Sequence, residues 1–205
     1  MIKKNIVYVL VAVAISCQVI AQQSASYTND LVDYQKALSL YNNQQYQASQ
    51  TLFSHVKKTA KNDVLLSDCD YYIANCAVRL NQQNADRLVT EFVENYPTST
   101  KRNTAFVDVA DYYFVNGKYS YARKWYDKVD ESALGRNELN KFYFNNGYSA
   151  FSTKQYKDAK TYLSRVESTK EYGSQAKYYI GFMAYEGDDY DAANAYFEQV
   201  NDQER

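Results

Sequence analysis

The chain has 205 residues, with 23 Lys and Arg against 24 Asp and Glu and a net charge of −1. A balance this even, with no basic block, excludes an electrostatic footprint for nucleic acid. One Pro and six Gly suit a nearly all-helical chain, because both residues disfavour helix interiors.

Residues 1–21 read as a secretory signal peptide. Lys3 and Lys4 precede an apolar run from Ile6 to Ile15, and Val19-Ile20-Ala21 forms a small-residue cleavage site. Ser16 and Gln18 interrupt the run, which leaves it short for spanning a bilayer. Cleavage after Ala21 also removes Lys3 and Lys4 and takes the net charge to −3. A second reading stays open. Ala14-Ile15-Ser16-Cys17 resembles a lipoprotein cleavage box, with Cys17 as the lipidated residue and Ala14 where that box carries Leu. The expected location is the periplasm or the outer-membrane periphery of a Gram-negative bacterium.

A polar lead over 22–29 ends at Thr28 and Asn29, which offer a helix cap. The pattern then predicts helices over about 30–42, 45–59, 64–80 and 84–95, with Asn62-Asp63 as the cap of the third. Pro97 ends the fourth, since the residue before proline leaves the α region. Pro97-Thr98-Ser99 is predicted to cap a helix running to Asn116, which Gly117 stops. Helices follow near 118–129, 137–152, 155–166, 173–186 and 189–201, with Gly135, Gly173 and Gly187 at the breaks.

A tyrosine-led phrase recurs four times along these helices: Tyr46/Ser49/Leu52/Phe53/Val56, Tyr119/Ala122/Trp125/Tyr126/Val129, Tyr156/Ala159/Tyr162/Leu163/Val166 and Tyr190/Ala193/Tyr196/Phe197/Val200. Its spacing places each copy on one helix face. Tyr156 and Tyr190 lie 34 residues apart, as do Gly147 and Gly181, and a fixed period of this length marks a stacked helical array. A weaker unit, with Ala74, Ala77, Ala85, Phe92 and Pro97, lacks the turn aromatic. The interval from Tyr119 to Tyr156 is 37 residues. The surplus falls in the polar link 130–136, and such insertions are cheap in loop-closure entropy.

These residues resemble the tetratricopeptide repeat (TPR), two antiparallel helices in about 34 residues. Ala37, Ala110, Gly147 and Gly181 match its small residue of the first helix (helix A). Ser49, Ala122, Ala159 and Ala193 match that of the second (helix B). The resemblance implies an all-α, right-handed TPR-like α-solenoid of about five hairpins, at about 30–60, 64–96, 99–130, 137–167 and 173–201, in one array over 30–205. Glu94-Asn95-Tyr96-Pro97-Thr98-Ser99 is similar to the repeat junction of envelope TPR proteins. These include the lipoprotein that assists outer-membrane barrel assembly and the periplasmic coordinator of envelope constriction. The run through Trp125 and Val129 looks like the N-terminal part of longer envelope repeat proteins. The array is therefore expected to continue in a longer chain, or to meet another molecule at its C-terminal edge, with self-association as one consequence.

The family's inner-face positions, three before and one after the helix A small residue, fall on Tyr34/Leu38, Tyr71/Asn75, Val107/Asp111, Phe144/Tyr148 and Tyr178/Phe182. The resemblance implies a groove for a peptide or partner helix there, with aromatic anchors. Packing between helices is the alternative role for these rings, and it is the favoured one for Tyr34 and Tyr71. The carboxylate-clamp subclass holds a peptide terminus with Lys and Asn. Here only Asn75 survives, with Tyr71 in place of the Lys, so that clamp is not expected.

Catalysis is not expected, and neither are a cofactor or a metal. His55 is the lone histidine, the glycines form no phosphate-cradling cluster, and Glu91/Glu94 and Asp188/Asp189 read as surface charge. Cys69 and Cys76 sit seven residues apart on one helix, about 10 Å of rise, beyond disulfide reach. They read as small buried hydrophobes. The leading function is a non-enzymatic interaction scaffold in the envelope, with envelope or outer-membrane assembly as its expected context. The competing ones are a peptidoglycan-linked module assisting wall enzymes, with Trp125 and exposed tyrosines stacking on sugars, and a fragment whose activity lies elsewhere.

Overall fold

A computed structural model describes residues 29–203. The signal peptide, lipidation at Cys17, the lead up to residue 28 and a cap at Thr28 lie outside the described residues. The described chain is all-α. It runs α1 (29–42), α2 (Tyr46–Thr59), α3 (Asp63–Arg79), α4 (Ala85–Asn95), α5 (Arg102–Val115), α6 (Tyr119–Tyr126), a 3₁₀ turn (Glu131–Ala133), α7 (Arg136–Ser152), α8 (Tyr156–Leu163), α9 (Gly173–Glu186) and α10 (Tyr190–Gln203). The chain divides into two compact units, with the boundary between Ser99 and Thr100. The first holds hairpins α1/α2 and α3/α4, and the second holds α5/α6, α7/α8 and α9/α10.

Within each hairpin the small residues let the helices approach. Ala37, Ala74, Ala110, Ala122, Ala159 and Ala193 are all buried, and the Ser49 hydroxyl donates across to the Ala37 carbonyl at 2.9 Å. At Gly147 an added Cβ would lie 2.8 Å from Leu163 Cγ and 3.1 Å from its backbone nitrogen. At Gly181 it would lie 3.0 Å from both Tyr196 Cβ and Phe197 Cε1. The turn aromatics have an equally regular task. Tyr46, Tyr119, Tyr156 and Tyr190 meet Tyr41, Phe114, Phe151 and Tyr185 with ring centroids 5.6, 5.8, 5.9 and 5.5 Å apart. Each pair staples the end of one helix to the start of the next. The second hairpin, which lacks the aromatic, has a Gln50–Gln82 amide pair at 2.8 and 3.0 Å that ties α2 to the α3–α4 turn.

All five first helices end in the same way. Gln44, Asn81, Gly117, Lys154 and Asp188 adopt φ of 60, 51, 69, 59 and 62°. Each donates its N–H three residues back, and the next residue donates five back. This is the Schellman pattern. The sequence points to it only at Gly117. At the last hairpin the left-handed residue is Asp188, not Gly187, whose φ is −92°. Since a Cβ at Gly117 would meet nothing within 4 Å, its substitution isolates the conformational cost. Gly117→Ala is expected to lose about 1 kcal/mol, and Lys154→Gly to gain a similar amount. Urea midpoints of the two variants should move in opposite directions.

Other boundaries shift for local reasons. Helices expected to reach 129 and 166 stop at Tyr126 and Leu163. Beyond them the bonds tighten to i→i−3, as in Val129 N to Tyr126 O and Val166 N to Leu163 O, both 3.0 Å. Val166 still reaches the core with no exposed surface. Pro97-Thr98-Ser99 does not cap α5, which starts after Lys101 with no side-chain cap. The segment turns back instead, with Ser99 N bonded to Tyr96 O at 3.0 Å and Ser67 donating to the Ser99 hydroxyl at 3.3 Å. Gly173 opens α9 as its first helical residue. Asn62 caps α3 as expected, accepting from Leu65 N at 3.0 Å.

Cys69 and Cys76 are free and fully buried on α3. Burial, with Asp70 and Asp68 nearby, pushes the Cys69 thiol up to about 12, and burial pushes Cys76 up to about 11. Both stay protonated and inert at neutral pH.

Candidate functional site

In the first unit the inner-face residues serve packing. Tyr34 meets Phe53 edge-on at 5.6 Å and donates to Asp68 at 3.0 Å. Leu38 packs on the same core. Tyr71 is buried against Tyr72 and Phe92, at 4.9 and 5.7 Å. Asn75 is buried too. Its amide donates to the Tyr71 carbonyl at 3.2 Å, and its oxygen accepts from Arg79 at 2.9 Å. An amide engaged on both sides is not free to clamp a peptide carboxylate.

In the second unit α5, α7 and α9 follow one another as the first helices of successive hairpins, and α7 touches both neighbours. Rings at and beside their inner positions form a band. Phe114 meets Tyr148 at 5.8 Å, Tyr148 meets Tyr179 at 5.0 Å, and Phe151 meets Phe182 at 5.6 Å. Phe144 is buried at the inner edge of this band, stacked on Tyr172 at 4.8 Å. Tyr148, Phe151 and Phe182 are half-buried. Tyr178 and Tyr185 remain 48 % and 53 % exposed. The exposed faces of these rings are held rigid by their neighbours at little further entropic cost.

Beside the band lies a cleft of about 270 Å³, lined by Val107, Asp108, Asp111, Leu134, Glu138 and Lys141 among others. The sequence reading reached Val107 and Asp111 but missed the rest. The link between α6 and α7 builds one wall through Ala133 and Leu134, and it is pinned. Asn103 on α5 donates to the Asp130 carbonyl at 3.0 Å and accepts its N–H at 2.8 Å. Tyr143 on α7 donates to Glu131 at 2.7 Å. Ser132 donates its hydroxyl and its N–H to Asp130, which holds that carboxyl below its ordinary range. The surplus of the 37-residue interval, expected in this link, lies in α7 instead, which has 17 residues against 14 in α9, while the α6–α7 and α8–α9 links are equally long.

Asp111 organises the cleft floor. One oxygen accepts from the Tyr126 hydroxyl and from Asn145 Nδ2 at 3.1 Å. The other accepts from Lys141 Nζ at 2.7 Å. This joins α5 to both α6 and α7. Burial, then the Asp111 charge, hold the Tyr126 hydroxyl protonated far above the ordinary tyrosine range. Burial and Asp68 do the same for Tyr34. A raised folded-state pKa means that the stabilisation is complete below the unfolded value, about 10. It is lost as pH climbs from there through the folded value. An alkaline titration followed by tyrosinate absorbance should therefore show a group of tyrosines that ionise only as helical ellipticity disappears. Full ionisation with the helices intact would contradict it.

The remaining chemical candidates are accounted for. Trp125 is 1 % exposed and tilted on Phe106 at 6.2 Å, so it offers no stacking platform for sugars. His55 is exposed at a shallow depression with Ser54 and Lys58, where the Ser54 hydroxyl donates to the Gln50 carbonyl at 2.7 Å. Among the described residues no group of His, Cys, Asp or Glu could hold a metal ion, and no helix is long and apolar enough to cross a membrane.

The tetratricopeptide repeat family model matches residues 68–99 and 175–203. MamA of strain AMB-1 is similar in structure, with a TM-score of 0.63 at 15 % identity over 85 % of this chain and 91 % of that one. A protein of Podospora anserina described as a kinesin light chain with nearly identical TPR-like repeats gives 0.60 at 14 %, over 84 % and 93 %. BtubC of P. vanneervenii gives 0.58 at 14 %, over 82 % and 76 %. At such identities the likeness is one of fold. A comparison with curated proteins finds no match.

Proposed function

We infer that this TPR-like all-α repeat protein is a non-enzymatic interaction scaffold, and that it holds a peptide or partner helix on the α5/α7/α9 face. One observation carries the reading. Tyr148, Phe151, Tyr178, Phe182 and Tyr185 keep accessible surface beside an open cleft. Rigid aromatic rings at such a surface supply contact area with little entropy left to lose. The N-terminal pattern of Met1 to Ala21 supports export, and the Tyr96-Pro97 junction resembles envelope repeat proteins. The proposed setting is therefore the periplasm or the outer-membrane periphery, with envelope assembly as the proposed context.

Peptides selected from a random library on the full chain test the binding face. Tyr148→Ala and Tyr178→Ala should each weaken a selected peptide about tenfold or more, as anchors do. Tyr121→Ala, on the exposed surface of α6, should leave binding unchanged. The reverse ranking would move the site to the second helices. Recovery of the protein wholly in the cytosolic fraction of a Gram-negative host would remove the envelope setting.

A further inference from the structure

We propose that the open side of α10 docks an amphipathic helix of a partner protein, one with an aromatic ring on its apolar stripe and Lys or Arg beside it. In this array the residue four places after the small residue of each second helix reports how well that helix is covered. Phe53, Val89, Tyr126 and Leu163 hold the place after Ser49, Ala85, Ala122 and Ala159, and each is 0–1 % exposed. Phe197 holds it after Ala193 and is only half-buried, as is Val200 one turn on. One side of the Phe197 ring is occupied, where it packs over Gly181 and meets Tyr178 at 6.0 Å. The open side is the one that its counterparts have covered.

The earlier hairpins show what covers it. Tyr72 of α3 stacks on Phe53 at 4.9 Å and 7°, and Phe142 of α7 meets Tyr126 edge-on at 5.6 Å. In both, the ring comes from the first helix of the next hairpin, as stacked repeats require. The open side of α10 therefore has the shape for one more helix that carries a ring.

Charge selects which helix. Residues 178–200 hold Glu186, Asp188, Asp189, Asp191 and Glu198 and no Lys or Arg, and all five carboxylates are exposed. The equivalent stretch 144–166 carries Lys154, Lys157, Lys160 and Arg165 against Asp158. Asp191 and Glu198, seven residues apart, form one row on α10 beside Phe197. Their field favours a basic flank on the helix that lies against the ring. It disfavours a second copy of this chain. α10 against α10 sets one acidic row on another. α1, the first helix with no described hairpin before it, carries Asp30 and Asp33 against Lys36.

A displayed library of helix-forming peptides, selected on full-length Tyr148→Ala to suppress groove binders, tests the proposal. Recovered peptides should carry a ring on an apolar stripe with Lys or Arg beside it. In fluorescence anisotropy, Val200→Asp and Glu198→Lys should each weaken a recovered peptide about tenfold or more, and Glu198→Gln severalfold, with the effect at Glu198 shrinking at high salt. Circular dichroism confirms that each variant is folded. Recovery of no peptide, of peptides without basic residues, or of basic peptides indifferent to both Glu198 variants would overturn the proposal. Ultracentrifugation showing self-association that Val200→Asp abolishes would give the face to a second copy and overturn it too. Each of these results leaves the groove reading to its own test at Tyr148 and Tyr178.

Discussion

Asp111→Ala is expected to destabilise the second unit by about 2–4 kcal/mol. The Tyr126 hydroxyl is buried with its ring only 1 % exposed, and loss of its acceptor strands it at a cost of about 1–3 kcal/mol. The buried Asn145 amide loses the same acceptor. Lys141 contributes little, because its side chain is 52 % exposed and returns to water. Lys141→Met should therefore cost under about 1 kcal/mol. Adding Tyr126→Phe to Asp111→Ala should restore much of the loss, since removal of both partners of a buried bond can be nearly neutral. Denaturant unfolding of these three variants, with Tyr126→Phe alone as the fourth, reads the cycle. A cost for Asp111→Ala no larger than that of Lys141→Met would show that the network does not hold α5, α6 and α7 together.

Gly147→Leu should cost about 3 kcal/mol, the upper end of the overpacking range. Even a methyl group at this position would come within 2.8 Å of Leu163 Cγ and 3.1 Å of backbone, and Leu163 is itself fully buried. Overpacking of this kind costs about 1–3 kcal/mol. Gly147→Ala recovers up to about 1 kcal/mol of helix propensity and should be milder. Ala159→Trp, on the facing helix, should match the leucine variant. In a repeat array the damage stays with the affected hairpin and its neighbours. Hydrogen exchange should loosen α7 and α8 first. Uniform loosening from residue 30 to 200 would contradict that picture.

The repeats were legible because each hairpin needs the same few residues at the same places. Small side chains at Ala37, Ala110, Gly147 and Gly181, and a ring at four of the five turns, are demanded by close helix contacts that leave little choice. The helix ends were less legible. Gln44, Lys154 and Asp188 adopt the left-handed conformation that Gly117 advertises, because the hydrogen bonds of the Schellman turn outweigh the steric cost of a Cβ. Pro97-Thr98-Ser99 carries cap-forming residues, yet it closes a turn on Tyr96 instead. At the site, periodicity identified which helices supply the surface. It could not say which rings keep exposed area. Phe144 and Tyr148 occupy neighbouring inner positions, yet Phe144 is buried under Tyr172 and Tyr148 is not. The cleft was the least legible, because its wall is a loop fixed by side-chain bonds from Asn103 and Tyr143 that no periodicity announces.

The most direct test of the α5/α7/α9 face as the binding surface is hydrogen exchange of the full chain with and without a selected peptide. Protection should concentrate in residues 104–111, 141–151 and 178–185, leaving α6, α8 and α10 unchanged. Protection confined to 119–126, 156–163 and 190–200 would contradict the account.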